Sequence, residues 1–319
     1  MKNRYYITII IAFLALVSCQ KEELYTGPCN VRFKAYVQDE VSMTRGYTTI
    51  GNSTDAFAAE LFISNGTAVN SSTLQWDGTE VTTYLKLEEG MYSFYGYSPQ
   101  RQNATFDTRT QIMSVPGISG LSADNAMLLR IDETSHTDGT LQIAQNQETA
   151  TVSLKMDHLM AKVTPHFYVN STYDKLRTIK IKKVEFSIDG AKKYSANVNY
   201  TDAVAPAVSW TEGDEEDMSL TVFSGAEALE LTTSKQPVGH FYLCPAQSVE
   251  SLKMKVTYDV YDKAGTVTRE NVTADNAILK LKNGQLAAGT NYRLYIQVVP
   301  TYLYVLSDND EESVLTIND

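Results

Sequence analysis

Positive charge is scarce in this sequence: 27 lysines and arginines face 38 aspartates and glutamates, a formal net charge of −11 over 319 residues. Nucleic-acid surfaces need clustered cations, so nucleic acid is excluded as a partner. Cysteines number only three and histidines four. His136, His158, His166 and His240 are scattered without H-E-x-x-H spacing, and no cysteine pair stands at zinc distance, so no metal centre is expected. The G-x-S-x-G elbow, the Walker loop and the dinucleotide glycine fingerprint are all missing. The expectation is therefore no cofactor and no enzyme. A membrane-spanning run of about 20 apolar residues is missing too.

What the sequence holds in quantity points to strands. Hydrophobic residues make up 43%, with 20 tyrosines beside abundant Thr, Ser and Val, a composition suited to pleated, half-buried surfaces. Leu252, Met254, Val256, Tyr258 and Val260 share one face of a strand by period-2 alternation. Tyr292, Leu294, Ile296 and Val298 form a second such set, and Val81, Thr83, Leu85 and Leu87 a third. The expected class is all-β, and the length suits two domains of roughly 100–200 residues. A short helix or turn is expected only at Ser122–Leu129, from a Ser cap.

Two changes of phase carry more detail. Val152, Leu154 and Met156 are even-numbered, whereas Leu159, Ala161, Val163 and Phe167 are odd, which predicts a β-bulge or break near Asp157-His158. The same slip at Lys182-Lys183 separates Ile179 and Ile181 from Val184, Phe186 and Ile188. An internal echo joins Leu87, Gly90 and Tyr92 to Leu286, Gly289 and Tyr292: each is a corner needing φ > 0, then a tyrosine that packs on the sheet. Polar Gln145-Asn146-Gln147-Glu148 sets the expected boundary between an N-terminal sandwich over 31–147 and a C-terminal one over 148–299. Residues 300–319 extend beyond Pro300.

The first 18 residues read as a leader. Lys2 and Arg4 precede the apolar run Ile7–Val17, the charged n-region and short h-region of a secretory signal. That run covers only ~16 Å as a helix, against ~30 Å of hydrocarbon. Leu16-Val17-Ser18-Cys19 has the form of a bacterial lipoprotein box, in which Cys19 is lipidated and becomes the mature N-terminus at the outer membrane. Residues 19–30 then form a polar tether. Losing Lys2 and Arg4 moves the net charge from −11 to about −13. Cys29 and Cys244 remain in an oxidising compartment where a disulfide is allowed, yet nothing local brings them together, and two separate thiols is the preferred reading.

Two acidic runs, Glu212 to Asp217 and Asp308 to Glu312, lack the spacing of a calcium loop and read as solvated loops. Trp76, Tyr92, Tyr95 and Tyr97 cluster in one stretch and could serve as a sugar platform, giving the alternative of a monomeric surface glycan-binding lipoprotein.

The lipobox, the early strand Val31-Arg32-Phe33-Lys34-Ala35-Tyr36-Val37, Ser42-Met43-Thr44-Arg45-Gly46, Leu154 to Val163 and the strand from Gly289 to Val299 together resemble the fimbrillin family of Bacteroidales type V pili. The resemblance implies two tandem transthyretin-like antiparallel β sandwiches, export as an outer-membrane lipoprotein, and maturation by an arginine-specific protease. By the same resemblance, Arg45 is the candidate cut site. Its cleavage would displace the strand of Val31, Phe33, Ala35, Tyr36 and Val37, and a neighbouring fimbrial subunit would fill the groove with its C-terminal segment. Tyr302, Tyr304, Leu306, Leu315 and Ile317 alternate as a donor strand should, the other reading being that this tail pairs with its own sheet. A lipid-retaining pilus anchor would keep Cys19 and lack the cut.

Overall fold

The computed structural model describes residues 26–38, 47–49, 57–76, 81–100, 103–278, 286–299 and 302–307. The strands begin with β1 (Cys29–Gln38), β2 (Tyr47–Thr49), β3 (Phe57–Ser64), β4 (Val69–Trp76), β5 (Leu85–Leu87), β6 (Gly90–Ser98) and β7 (Thr105–Asp107). They continue with β8 (Ile112–Ser119), β9 (Leu121–Ser122), β10 (Met127–Ile131), β11 (Leu141–Ile143), β12 (Thr149–His158) and β13 (Ala161–Tyr168). A single helical turn, α1 (Ser171–Asp174), follows; the Asn170 side chain caps it by accepting from the Tyr173 N–H. Then come β14 (Arg177–Asn199), β15 (Ala207–Glu230), β16 (Gln236–Pro237), β17 (Phe241–Leu243), β18 (Leu252–Asp262), β19 (Val267–Ile278), β20 (Asn291–Val299) and β21 (Tyr302–Ser307). The chain is all-β. The stretch expected as a helix or turn is divided between β9, a turn in which Ser122 Oγ accepts from the Asp124 N–H, and β10, where Leu128 and Leu129 are buried.

Three sheets share these strands. The first has nine, in the order β2-β1-β12-β10-β6-β3-β4, with β5 beside β1 and β11 beside β6. The second runs β19-β18-β14-β8-β7 with β15 on β14, and the third β21-β20-β13-β17-β9 with β16 on β13. Most pairings are antiparallel; β1 with β12 and β13 with β20 are parallel.

Alternation fixes which face each strand buries. Val31, Phe33, Leu61, Leu74, Ile131, Val152 and Leu154 close one core on the first sheet. Between the second and third sheets lies another, filled by Val163, Phe167, Ile181, Phe186, Phe241, Val256 and Ile296. A third core joins them: Tyr95, Tyr97 and Leu128 from the opposite face of the first sheet meet Met113, Val115, Tyr194, Val198 and Tyr200. The distal part of β14 thus leaves one core and lies against the other half of the chain.

Both phase changes have structural causes. The segment 149–168 breaks at Leu159-Met160, two residues past the expected place, because there the chain passes from the first sheet to the third. Ala150, Val152, Leu154 and Met156 fill the first core and Ala161, Val163 and Phe167 the second, while Leu159 and Met160 at the break join the third. At Lys182-Lys183, β14 shifts register against both β15 and β18 between Ile181 and Lys183. The echo is structural as well. Gly90 has φ of 155° and Gly289 of 68°, Tyr92 packs on the first core, and Tyr292 packs on the second while its hydroxyl accepts from the Ala287 N–H at 3.0 Å.

The boundary at 147/148 is corrected by the strand order. β12, assigned to the C-terminal sandwich, lies in the first sheet between β1 and β10. Gln145–Glu148 belongs to a tight turn in which Asn146 has φ of 62°, and β7, β8 and β9 pair into the other two sheets. Composition marked a turn; it carries no information about which sheet follows.

Tyr200 ties the halves. Its hydroxyl, wholly buried, donates to the Leu129 carbonyl at 2.9 Å, and burial pushes its pKa well above the usual tyrosine value. Tyr200→Phe is expected to lower unfolding free energy by about 1 kcal/mol in a urea titration; no change would mean that water replaces this bond freely.

Candidate functional site

The early strand singled out in the sequence is β1, and its surroundings define the site. Cys29, Val31, Phe33 and Ala35 point into the first core, while Arg32 and Lys34 are exposed. Phe33 meets Phe94 edge-on, with centroids 5.8 Å apart. Tyr36 and Val37 are half-buried. One edge of β1 pairs in parallel with β12 over Asn30–Val37, matched to Thr149–Met156. The other carries two short ladders, β5 at Cys29–Val31 and β2 at Tyr36–Gln38. Between them, among the described residues, no strand pairs with the outer edge of Arg32–Ala35.

The C-terminal end of β1 is locked. Gln38 is buried; its carbonyl lies 2.8 Å from His158 Nε2, and its side-chain Oε1 accepts from the His158 N–H at 3.2 Å. Gly289 abuts the same side chain, where an added Cβ would fall 2.9 Å from Gln38 Oε1. β1 is held by period-2 burial and by backbone pairing on both edges. It closes one edge of β12 and, among the described residues, carries the only ladder of β2 and of β5, while its Val31 and Phe33 contribute roughly 3–6 kcal/mol of burial.

The expected donor residues are at the other end of the fold. Tyr302, Tyr304 and Leu306 lie on β21, whose backbone pairs antiparallel with Val299, Gln297 and Tyr295 of β20 at the edge of the third sheet. This is the reading in which the tail pairs with its own sheet. Cys19, Arg45, Leu315, Ile317 and the acidic run 308–312 lie outside the described residues.

The aromatic platform is corrected. Trp76, at 6% exposure, is part of the first core and Tyr92 packs against it, whereas Tyr95 at 5% and Tyr97 at 1% are buried in the third core on the opposite face. Strand alternation splits the four between two interiors. The acidic run Glu212–Asp217 is likewise not a loop: it lies within β15, where Glu212 pairs with Lys192 and Glu216 with Lys193 at 2.6 Å on the neighbouring β14. Such charge on a long outer strand discourages edge-to-edge pairing.

Cys29 and Cys244 are separate thiols in the first and third cores. Burial raises both pKa values, that of Cys244 to about 12, so neither is a nucleophile at neutral pH. Among the described residues no cluster of three His, Cys, Asp or Glu could hold a metal ion, and no helix is long and apolar enough to cross a membrane.

A buried ionic network, which alternation alone could not reveal, sits on the face of β10 and β12 opposite the first core. Arg130 reaches Asp157 and Glu133, each at 2.6 Å, and Lys155 reaches Asp132 at 2.9 Å and Glu133 at 2.8 Å. Burial works against the Asp132 carboxylate, but hydrogen bonds from Thr134 and Lys155 outweigh it and bring the pKa down to about 2.

The fimbrillin-like family model matches residues 37–319. The chain belongs to the fimbrillin-like family. Fimbrillin-like proteins are pilus-type subunits or adhesins of a cell-surface appendage, a structural rather than an enzymatic family. Among solved structures, this fimbrillin-like chain is similar to a fimbrial protein from Bacteroides vulgatus, with 13% identity, 89% of this chain and 99% of that one covered, and a TM-score of 0.39. It is also similar to the fimbrial anchor protein Mfa2 from Porphyromonas gingivalis, with 9% identity, coverage of 90% and 99%, and a TM-score of 0.36. No curated protein matches the sequence.

Proposed function

We propose that this chain is a polymerising fimbrial subunit, exported as an outer-membrane lipoprotein through Cys19, cut after Arg45 by an arginine-specific protease and joined to its neighbours by donor-strand exchange. The observation that carries this reading is β1: an N-terminal strand whose Val31, Phe33 and Ala35 are buried in the first core, and which has open outer backbone between two three-residue ladders. A cut after Arg45 severs β1 from β2 and everything beyond, so β1 can leave while the rest stays covalently whole. The vacated edge demands a strand, because buried N–H and C=O groups without partners are costly. Tyr302, Tyr304, Leu306, Leu315 and Ile317 of a neighbouring subunit supply the alternation to refill it. The two tandem units then divide at Leu159-Met160, with 105–122 lending strands across the divide.

The test is limited digestion of the lipid-free precursor with an arginine-specific protease, followed by N-terminal sequencing and gel analysis without boiling. A Gly46 terminus and an SDS-resistant ladder are expected. An uncut chain that stays monomeric would overturn the polymerising role and favour a lipid-retaining anchor.

A further inference from the structure

A cleft of about 460 Å³ opens between the first sheet and the turn that joins β14 to β15. Its walls are two tight turns. In one, Asp202 Oδ1 accepts from the N–H groups of Val204 and Ala205, both at 3.1 Å. In the other, Gly139 has φ of 70°, and Asp138 Oδ1 accepts from the Thr140 N–H at 3.4 Å. The walls touch: an added Cβ on Gly139 would fall 2.7 Å from Ala203 Cβ. The cleft is therefore preformed, and its size falls within the roughly 300–1,000 Å³ usual for small-molecule sites.

One polar group on its lining is open to a partner. Tyr95 is 5% exposed, and its ring lies between Phe106, 4.6 Å away, and Tyr200, 4.5 Å away. With both faces covered, what it offers the cleft is its edge and its hydroxyl, which bonds to no described residue. Thr140 Oγ1 is inaccessible to solvent and sits against the Asp138 carboxylate, which it helps hold below its usual range.

The lining also states the chemistry of what would complete it. Two carboxylates and no lysine, arginine or histidine line the cleft, so anions are repelled and phosphate, sulfate or an acidic sugar would find no counter-charge. The remaining groups are hydroxyls, one amide and the small apolar side chains Ala203 and Val204. Carboxylate acceptors beside hydroxyls that both donate and accept match a ligand with several adjacent O–H groups and an apolar C–H face. We propose that this cleft binds a neutral saccharide of one or two rings. The proposal is independent of strand exchange, since neither β1 nor the C-terminal strand lines the site.

The experiment is saturation-transfer NMR on the full chain with glucose, galactose, mannose, N-acetylglucosamine, lactose and maltose, each at about 10 mM, followed by titration of any that respond. At least one is expected to bind with a Kd of the order of 1 mM or tighter. Tyr95→Phe keeps both ring contacts, so it should leave the thermal midpoint unchanged while weakening binding about fivefold or more. Asp202→Asn retains an oxygen for the two turn amides and should weaken binding about tenfold. Silence from the whole panel overturns the proposal. So does unchanged affinity in both variants, which would put the sugar elsewhere, and so does binding of spermidine without binding of any sugar.

Discussion

Arg45→Ala is expected to remove the entire SDS-resistant ladder that arginine-specific digestion of the wild-type precursor yields. The reasoning runs through β1. While Arg45 is intact, β1 remains tethered to β2, and any incoming strand must compete with a segment held at very high effective concentration. Cutting converts that competition into one between two free strands, of which the longer and more apolar wins. A peptide spanning residues 29–38, added to freshly cut wild-type subunit, should then suppress the ladder at least about tenfold by refilling the groove. A ladder from the Ala variant as strong as wild type would remove Arg45 from the mechanism. A ladder indifferent to the peptide would remove β1.

Lys155→Ala is expected to cost about 3–5 kcal/mol, among the largest single-residue effects in the fold. Lys155 is the cation between Asp132 and Glu133, and its deletion leaves the almost fully buried Asp132 carboxylate without its ionic partner. Replacing Lys155 by Met together with Asp132 by Leu should recover most of that loss, because an apolar pair avoids the desolvation cost altogether. The pH dependence carries the same signature. Asp132 has a folded pKa of about 2 against an ordinary 3.8, so its contribution is complete above the ordinary value and is lost as pH falls from there towards 2. That contribution is about 2 kcal/mol, and urea titrations across this window should show it in the wild type and a shallower loss in the Ala variant. Equal slopes would assign the acid sensitivity to other carboxylates.

Legibility in the sequence followed the range of the interaction concerned. Faces were readable because alternation is local: Leu252, Met254, Val256, Tyr258 and Val260 are buried where the pattern put them, and the slip at Lys182-Lys183 coincides with an observed register shift. Corners were readable because Gly90 and Gly289 must adopt positive φ. Partners were not. Period-2 burial says which side of a strand is inside and nothing about the neighbour, so the parallel union of β1 with β12 and the placement of β12 in the first sheet could not be read. Lys155 and Arg130 occupy alternate positions that look solvent-facing, and only the burial of both faces of β10 and β12 makes them interior. For the same reason Trp76, Tyr95 and Tyr97 suggested an open platform, whereas Trp76 lies in the first core and the third core covers Tyr95 and Tyr97.

The reach of β14 has a mechanical consequence. At about 3.3 Å per residue its 23 residues, bulged at several places and turned at Gly190, span at most ~75 Å as a rod that is clamped in two cores at once, paired with β18 over Arg177–Ile188 and with β8 over Lys193–Asn199. Tension applied along this rod loads both ladders in shear, where many hydrogen bonds must yield together, and not in peeling, where they fail one by one. The rod therefore works as a tie-bar, and neither half of the chain can be pulled open without straining the other.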